Sequence, residues 1–217
     1  MLIQYQEIEL GGGFEHDFQA KRVLSQLPFS LEPMDSLNWH EDYGQEALDE
    51  SHLMADPIAK FQEWLKDAEA EKIYEPNAFL LGTITPENKP SARTVLLKGV
   101  DEHGFFFVTN FDSRKGKALA LNPCVSGVFG WYSMYRQVLI EGVVKAVPAS
   151  KSDEYFDTRP HESKVAAWSS NQSHPIENRQ ALDVQFESAL AKFDGVDVPR
   201  PDYWGGFRIV PTRIELR

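Results

Sequence analysis

Residues 104–110 read GFFFVTN, an apolar strand with a hydroxyl near its end. Successive side chains of a strand point to opposite faces. Phe105-Phe106-Phe107-Val108 therefore puts apolar groups on both faces. A flat sheet with one wet side does not suit such a strand. A closed barrel does, with one face in the core and the other under a helix or a second subunit.

The residues around this run extend the pattern. Asp56-Pro57 marks a helix start, with Asp56 as N-cap and Pro57 at the first helical position. Ile58, Phe61, Trp64, Leu65 and Ala68 then fall on one face. Strands are expected over 78–85, 91–100 and 105–110, separated by turns at 86–90 and 101–104. Ser113 is a good N-cap for a helix carrying Ala118, Leu119 and Leu121. Asn122-Pro123 breaks it, and a hairpin over 125–132 and 136–147 follows. Helices are expected over 152–158, 162–169 and 176–193, then two short strands within 205–217 split at Pro211. Hairpin-linked strands make the sheet antiparallel. The fold class is mainly β with packed helices (α+β), formed by residues 51–217. Residues 1–50 are acidic and poorly patterned, with Gly11-Gly12-Gly13 interrupting any regular element. They read as an N-terminal extension, flexible or loosely docked.

Charge narrows the function. The formal net charge is -11 over 217 residues. A nucleic-acid partner needs clustered Lys and Arg and is disfavoured, as is an anionic membrane surface. No stretch approaches the ~20 apolar residues of a membrane span, and the first residues do not form a secretory or transit signal. Cys124 is the only cysteine, so no internal disulfide forms. Its place at the start of an apolar run predicts a buried small hydrophobe. These features point to a cytoplasmic protein. The six histidines are scattered without a paired ligand spacing, which argues against a metal site.

Against this acidic background local basic groups stand out. Ser113-Arg114-Lys115 places two cations in the first turn of a helix. They oppose the helix dipole, a cost that makes sense if an anion binds there. Arg93-Thr94-Val95-Leu96-Leu97-Lys98 carries cations at both ends of a strand segment. Strand parity puts Arg93 and Lys98 on opposite sides unless the strand bulges. Gln137 lies among Val and Leu in a strand and needs hydrogen-bond partners if buried, a cross-strand group or a heteroaromatic ring edge. Tyr155, Arg159 and Ser163 recur at intervals of four residues, with Pro160 ending the first helix. Two hydroxyls and a guanidinium fork suit a phosphate; a solvated helix end is the plainer reading.

The segments RTVLLK, FVTNFDSRKGKAL, NPCVSGVFGWYSMYRQVLIEG, YFDTRPHESKVAAWSSNQS and YWGGFRIVP occur in this order. Together they resemble the pyridoxamine 5'-phosphate oxidase family of vitamin B6 metabolism, from about residues 39–43 to the end. The resemblance implies an antiparallel split β-barrel homodimer with FMN at the subunit interface. It implies FMN contacts from Arg93, Val95, Leu96, Lys98, Val108, Thr109, Gln137, Gln172 and Ser173. Arg114 and Lys115 would hold the FMN phosphate. Lys98, Tyr155, Arg159 and Ser163 would bind the phosphate of the B6 substrate, with Tyr43 closing from the N-terminal segment. The implied activity is oxidation of pyridoxamine or pyridoxine 5'-phosphate to pyridoxal 5'-phosphate with O2 as acceptor.

This chain departs from the family pattern at three places. Val108 stands where a tyrosine is common, and His40 where an arginine is usual. After Ile214-Glu215 the family continues with Phe-Trp and then Arg-Leu-His-Asp-Arg, whereas here Leu216-Arg217 follows. In the family that segment supplies an Arg and a His at the substrate and a Trp and an Arg at the flavin. Two expectations follow: an oxidase, or an FMN- or pyridoxal-phosphate-binding protein with little or no oxidase activity.

Overall fold

Asp56 caps the first helix as expected: its Oδ1 accepts from the Ile58 amide at 2.9 Å. The structure, a computed structural model, describes residues 56–217. The expected extension over 1–50, with His40 and Tyr43, lies outside the described residues. Helix α1 (Pro57–Ala70) buries Phe61, Trp64 and Ala68, with Leu65 packed beside them. Strands β1 (Ala78–Ile84), β2 (Pro90–Asp101) and β3 (Gly104–Asn110) follow, then helix α2 (Arg114–Leu121). Next come β4 (Cys124–Trp131), a single turn of 3-10 helix (Tyr132–Met134) and β5 (Arg136–Ala146). Helices α3 (Ala149–Asp157), α4 (His161–Ser169) and α5 (Arg179–Lys192) precede β6 (Trp204–Leu216).

The six strands close into an antiparallel barrel in the order β1-β2-β3-β6-β5-β4. Alternation fills its interior. Phe79, Leu81, Val95, Leu97, Phe105, Phe107, Phe129, Val138 and Ile140 all point inward and are buried. Phe61 of α1 completes this core, with ring centroids 5.0 Å from Phe105 and 4.8 Å from Phe129. The doubly apolar strand is covered as its sequence demands. Phe105 and Phe107 face the lumen, while Phe106 meets the Tyr155 ring of α3 edge-on at 5.9 Å. Val108 joins a second apolar cluster outside the barrel, formed by Phe156, Val165, Phe193, Val198 and Trp204.

Three expectations need correction. Residues 204–216 form one strand, not two. Its first part pairs with β3 up to Ile209, and its second part pairs with β5 through Leu216. Pro211 is accommodated because β3 pairing has already ended and a bulge leaves Thr212 without an opposite residue on β5. Cys124 is exposed, not buried. Alternation gives the inward position to Val125, so its neighbour faces out. The third helix of the late group starts at Arg179, because the Asn178 side chain accepts from the Ala181 amide at 2.8 Å and sets the cap there.

Phe61 joins α1 to the barrel lumen through three aromatic contacts. Phe61→Ala should therefore lower unfolding free energy by about 3–5 kcal/mol in urea denaturation. A loss below about 1 kcal/mol would show that α1 is not part of the cooperative core.

Candidate functional site

The start of α2 is built by one hydroxyl. Ser113 is fully buried, and its Oγ donates to the Asn110 carbonyl at 2.6 Å. The same Oγ accepts from the Gly116 amide at 3.2 Å. Asn110 Oδ1 accepts from the Asp112 amide at 2.7 Å, so strand end, turn and helix are tied together. Gly116 has no alternative here, since a Cβ would strike the Phe111 carbonyl. This arrangement holds Arg114 and Lys115 at a fixed place on the barrel rim.

Lys115 points inward to Arg93 and Gln172. Its Nζ donates to Gln172 Oε1 at 3.1 Å. Burial, helped by the nearby charge of Arg93, pulls its pKa down to about 8 from 10.5. Arg93 is held by its own partners. Nη1 donates to the Leu81 carbonyl at 3.0 Å and to Thr83 Oγ1 at 2.8 Å, and Nη2 donates to Ser91 Oγ at 2.9 Å. Arg114 lies near the turn between β1 and β2. Glu87 in that turn has its pKa lowered, first by its hydrogen bond with Thr85 and then in smaller part by the charges of Arg114 and Lys89. Lys115 and Arg93, from distant segments of an acidic protein, thus meet, with the exposed Arg114 next to Lys115 in the chain. Burying like charges together costs free energy, and a bound dianion would remove that cost. The donor set of two guanidinium groups, one ammonium and one amide fits a phosphate monoester.

A second cationic group sits between α3 and α4. The Arg159 guanidinium lies 4.9 Å from the Trp204 ring centroid and 5.4 Å from that of Phe156. Burial lowers its pKa, against a smaller opposite effect of Tyr155. Its Nη1 is buried and finds no hydrogen-bond partner among the described residues. Native structures leave very few buried donors in that state, so Nη1 calls for an acceptor beyond the described residues. Tyr155 stacks on Trp204, with centroids 6.2 Å apart and planes 8° from parallel. Ser163 lies half-buried in the first turn of α4, since Pro160 separates it from α3.

The outer face of β2 and β3 connects the two groups. Lys98 falls at a β-bulge, because Leu97 pairs with Phe107 and Gly99 with Phe106. The parity that would oppose Arg93 to Lys98 is therefore broken at Lys98 itself. Beside it, Gly99, Phe106, Val147 and Tyr155 line a cleft of about 380 Å³. An Arg208–Asp101 ion pair closes one side of this cleft. Leu96 is half-buried on the outer face, whereas Val95 faces the lumen and leaves only its main chain for a ligand. Thr109 is buried, its hydroxyl 3.5 Å from the Asn110 carbonyl. Ser173 is exposed and takes a left-handed backbone, φ 66°, directly after Gln172.

Gln137 does not join either group. It opens β5 opposite Gly130, and its backbone exchanges hydrogen bonds with Arg217 at 2.8 and 2.9 Å. In the ring of six strands β5 lies across from β2. The lumen between them is filled by aromatic side chains. One barrel cannot place Gln137 and Arg93 around one small ligand. Among the described residues no cluster of metal-ligating side chains occurs, and no helix is long and apolar enough to cross a membrane.

Sequence reasoning missed Trp204, which touches both Tyr155 and Arg159. The signal was the YWGG run, whose indole is polar on one edge and large enough to carry two partners.

Lys115 makes the rim testable without any ligand. Its pKa in the fold, about 8, lies below the ordinary 10.5, so between these values the unfolded chain holds more protons. Its contribution to stability must then rise with pH in that window. The ligand-free protein should gain about 1–2 kcal/mol between pH of about 7.5 and about 9.5 relative to Lys115→Met, measured by chemical denaturation at both pH values. Parallel curves for the two proteins would mean that Lys115 is not buried against Arg93.

Comparison with known proteins gives the family and the fold. The family described as pyridoxamine 5'-phosphate oxidase matches residues 65–193. A pyridoxine/pyridoxamine 5'-phosphate oxidase of Nostoc punctiforme is 47% identical over 176 residues, 81% of this chain and 82% of that one. One from Burkholderia lata is 46% identical over 175 residues, 81% of each chain. Among solved structures, PhzG from Burkholderia lata, in complex with tetrahydrophenazine-1-carboxylic acid, superposes with a TM-score of 0.72 and 29% identity. That match covers 76% of this chain and 81% of PhzG. A pyridoxamine 5'-phosphate oxidase-related, FMN-binding protein of Nostoc punctiforme shares the fold, with a TM-score of 0.58 at 12% identity over 76% of this chain and 86% of that chain.

Proposed function

The chain belongs to the pyridoxamine 5'-phosphate oxidase family, and on that premise we propose that it is an FMN-dependent oxidase. Its substrates are pyridoxamine or pyridoxine 5'-phosphate, its product is pyridoxal 5'-phosphate, and O2 is the acceptor. The observation that carries this reading is the presence of two cationic groups on different elements. Arg93 and Lys115 form one, and Arg159, with its buried unbonded Nη1, forms the other. A reaction between two phosphorylated molecules calls for two such groups.

In this reading Arg93, Arg114 and Lys115 grip the FMN phosphate. Leu96, Val108 and the main chain at Val95 bound the ring on the outer face of the barrel. Thr109, Gln172 and Ser173 complete its polar surroundings, and Lys98 sits where cofactor and substrate meet. Lys98, Tyr155, Arg159 and Ser163 hold the substrate phosphate. This binding is remote from the reacting carbon and orients the substrate ring. When bound, FMN supplies the two-electron acceptor chemistry, and the protein supplies orientation and charge.

Gln137 reaches the same ligand only from a second copy, since β5 and β2 lie on opposite sides of one barrel. The reading therefore includes a homodimer with the site in its seam. Leu80, 47% exposed on the outer face of β1, fits such a seam. We place the enzyme in the cytoplasm.

The purified protein should be yellow and should release peroxide when given pyridoxamine 5'-phosphate. A colourless protein that neither takes up FMN nor turns over contradicts the proposal. Arg114→Ala should weaken FMN binding by about tenfold or more while leaving the thermal stability of the FMN-free protein nearly unchanged. Arg159→Ala should raise KM for the phosphorylated substrate by about tenfold or more with FMN content unchanged. Loss of FMN from Arg159→Ala would instead exchange the two anion assignments.

A further inference from the structure

The segment before β6 is tied to α3 by Arg200. Its Nε donates to Asp153 Oδ1 at 2.6 Å, and its Nη1 donates to the Trp204 carbonyl at 2.6 Å. Arg200 Nη1 also reaches the Pro201 carbonyl at 3.2 Å. The residue held in this way is Trp204, 7% exposed and packed edge-on against Phe156 at 5.0 Å. α3 carries both Asp153 and Tyr155, so the latch fixes Trp204 relative to Tyr155.

We propose that Trp204 is a positioning residue for the substrate phosphate, orienting Arg159 by cation–π contact and Tyr155 by ring stacking. The inference rests on the reading of Arg159 and Tyr155 as phosphate ligands. An arginine used for a phosphate needs its planar fork held at a set angle. Arg159 has no carboxylate partner among the described residues to do this. Among the described residues its guanidinium is packed on the rings of Trp204 and Phe156, and Nη1 is left unbonded. An aromatic face attracts the cation without using its N–H groups. All the in-plane donors then stay available for phosphate oxygens. A carboxylate partner would hold the fork as well but would occupy those donors and repel the ligand. Stacking does the same for Tyr155, fixing its ring while leaving the hydroxyl to bond elsewhere.

The test uses the full chain loaded with FMN and pyridoxal 5'-phosphate as the probe, its dissociation constant followed by fluorescence. Trp204→Leu should weaken binding about tenfold with FMN content unchanged. Trp204→Phe keeps an aromatic face and should cost no more than about threefold. In an Arg159→Ala background the Trp204→Leu step should cost less than about twofold, because no guanidinium remains to be held. Equal losses in the two backgrounds would mean that the indole acts through general packing and would overturn the assignment. If Trp204→Leu does not fold, Trp204→Met, which also removes the aromatic face, is carried through the same cycle under the same criterion. A wild-type protein that does not bind pyridoxal 5'-phosphate contradicts the oxidase reading instead. Positioning is then decided by 15N-arginine NMR with inorganic phosphate. An Arg159 Nε–H signal shifted upfield by the indole, relaxed in Trp204→Phe and moved by phosphate, supports it. An unshifted signal overturns it.

Discussion

A closed barrel of six strands fills its own interior, and every other property of this molecule follows from that closure. Phe79, Phe105, Phe107 and Phe129 pack the lumen, with Phe61 of α1 among them. No ligand enters there. Polar chemistry is confined to the rim and to the outer face, where strands must be covered by helices or by another molecule. The rim between β1, β2 and α2 collects Arg93, Arg114 and Lys115. The outer face of β3 and β6 collects Tyr155, Arg159 and Trp204 under the helices.

The two cationic groups are made in different ways. At the rim, charge is concentrated against its own repulsion: burial and Arg93 together draw Lys115 down to a pKa of about 8. The cost is carried by a stiff frame, with Ser113 and Gly116 allowing no slack at the helix start. At Arg159 the charge is held by aromatic faces, with no acidic partner among the described residues. Both devices concentrate cationic charge in an acidic protein, and that common feature supports the reading of a pair of phosphorylated ligands over one incidental anion.

Much of the fold was legible because its signals are local. Asp56-Pro57 and Ser113 are caps read within four residues, and both hold in the structure. The double-faced apolar run at Phe105 to Val108 announced a covered barrel strand, and the covering element is α3. What failed was non-local. Pro211 reads as a break until β6 is seen to leave β3 and continue along β5. Cys124 reads as core until its neighbour Val125 takes the inward place. In the candidate site, Lys115 meets Gln172 and the charge of Arg93, which come from distant segments that no local pattern joins. The bulge at Lys98 and the contact of Trp204 with Arg159 depend on strand register and on residues 45 positions apart, which no local pattern carries.

The central claim is that the rim cations form a receptor for the phosphate of a mononucleotide. The most direct measurement is the titration of Lys115 itself, by NMR of the labelled ammonium group, without and with FMN. The account predicts an apparent pKa of about 8 in the free protein, and a rise by about one unit or more when a phosphate dianion binds beside it. A Lys115 that titrates identically in the two states would contradict it.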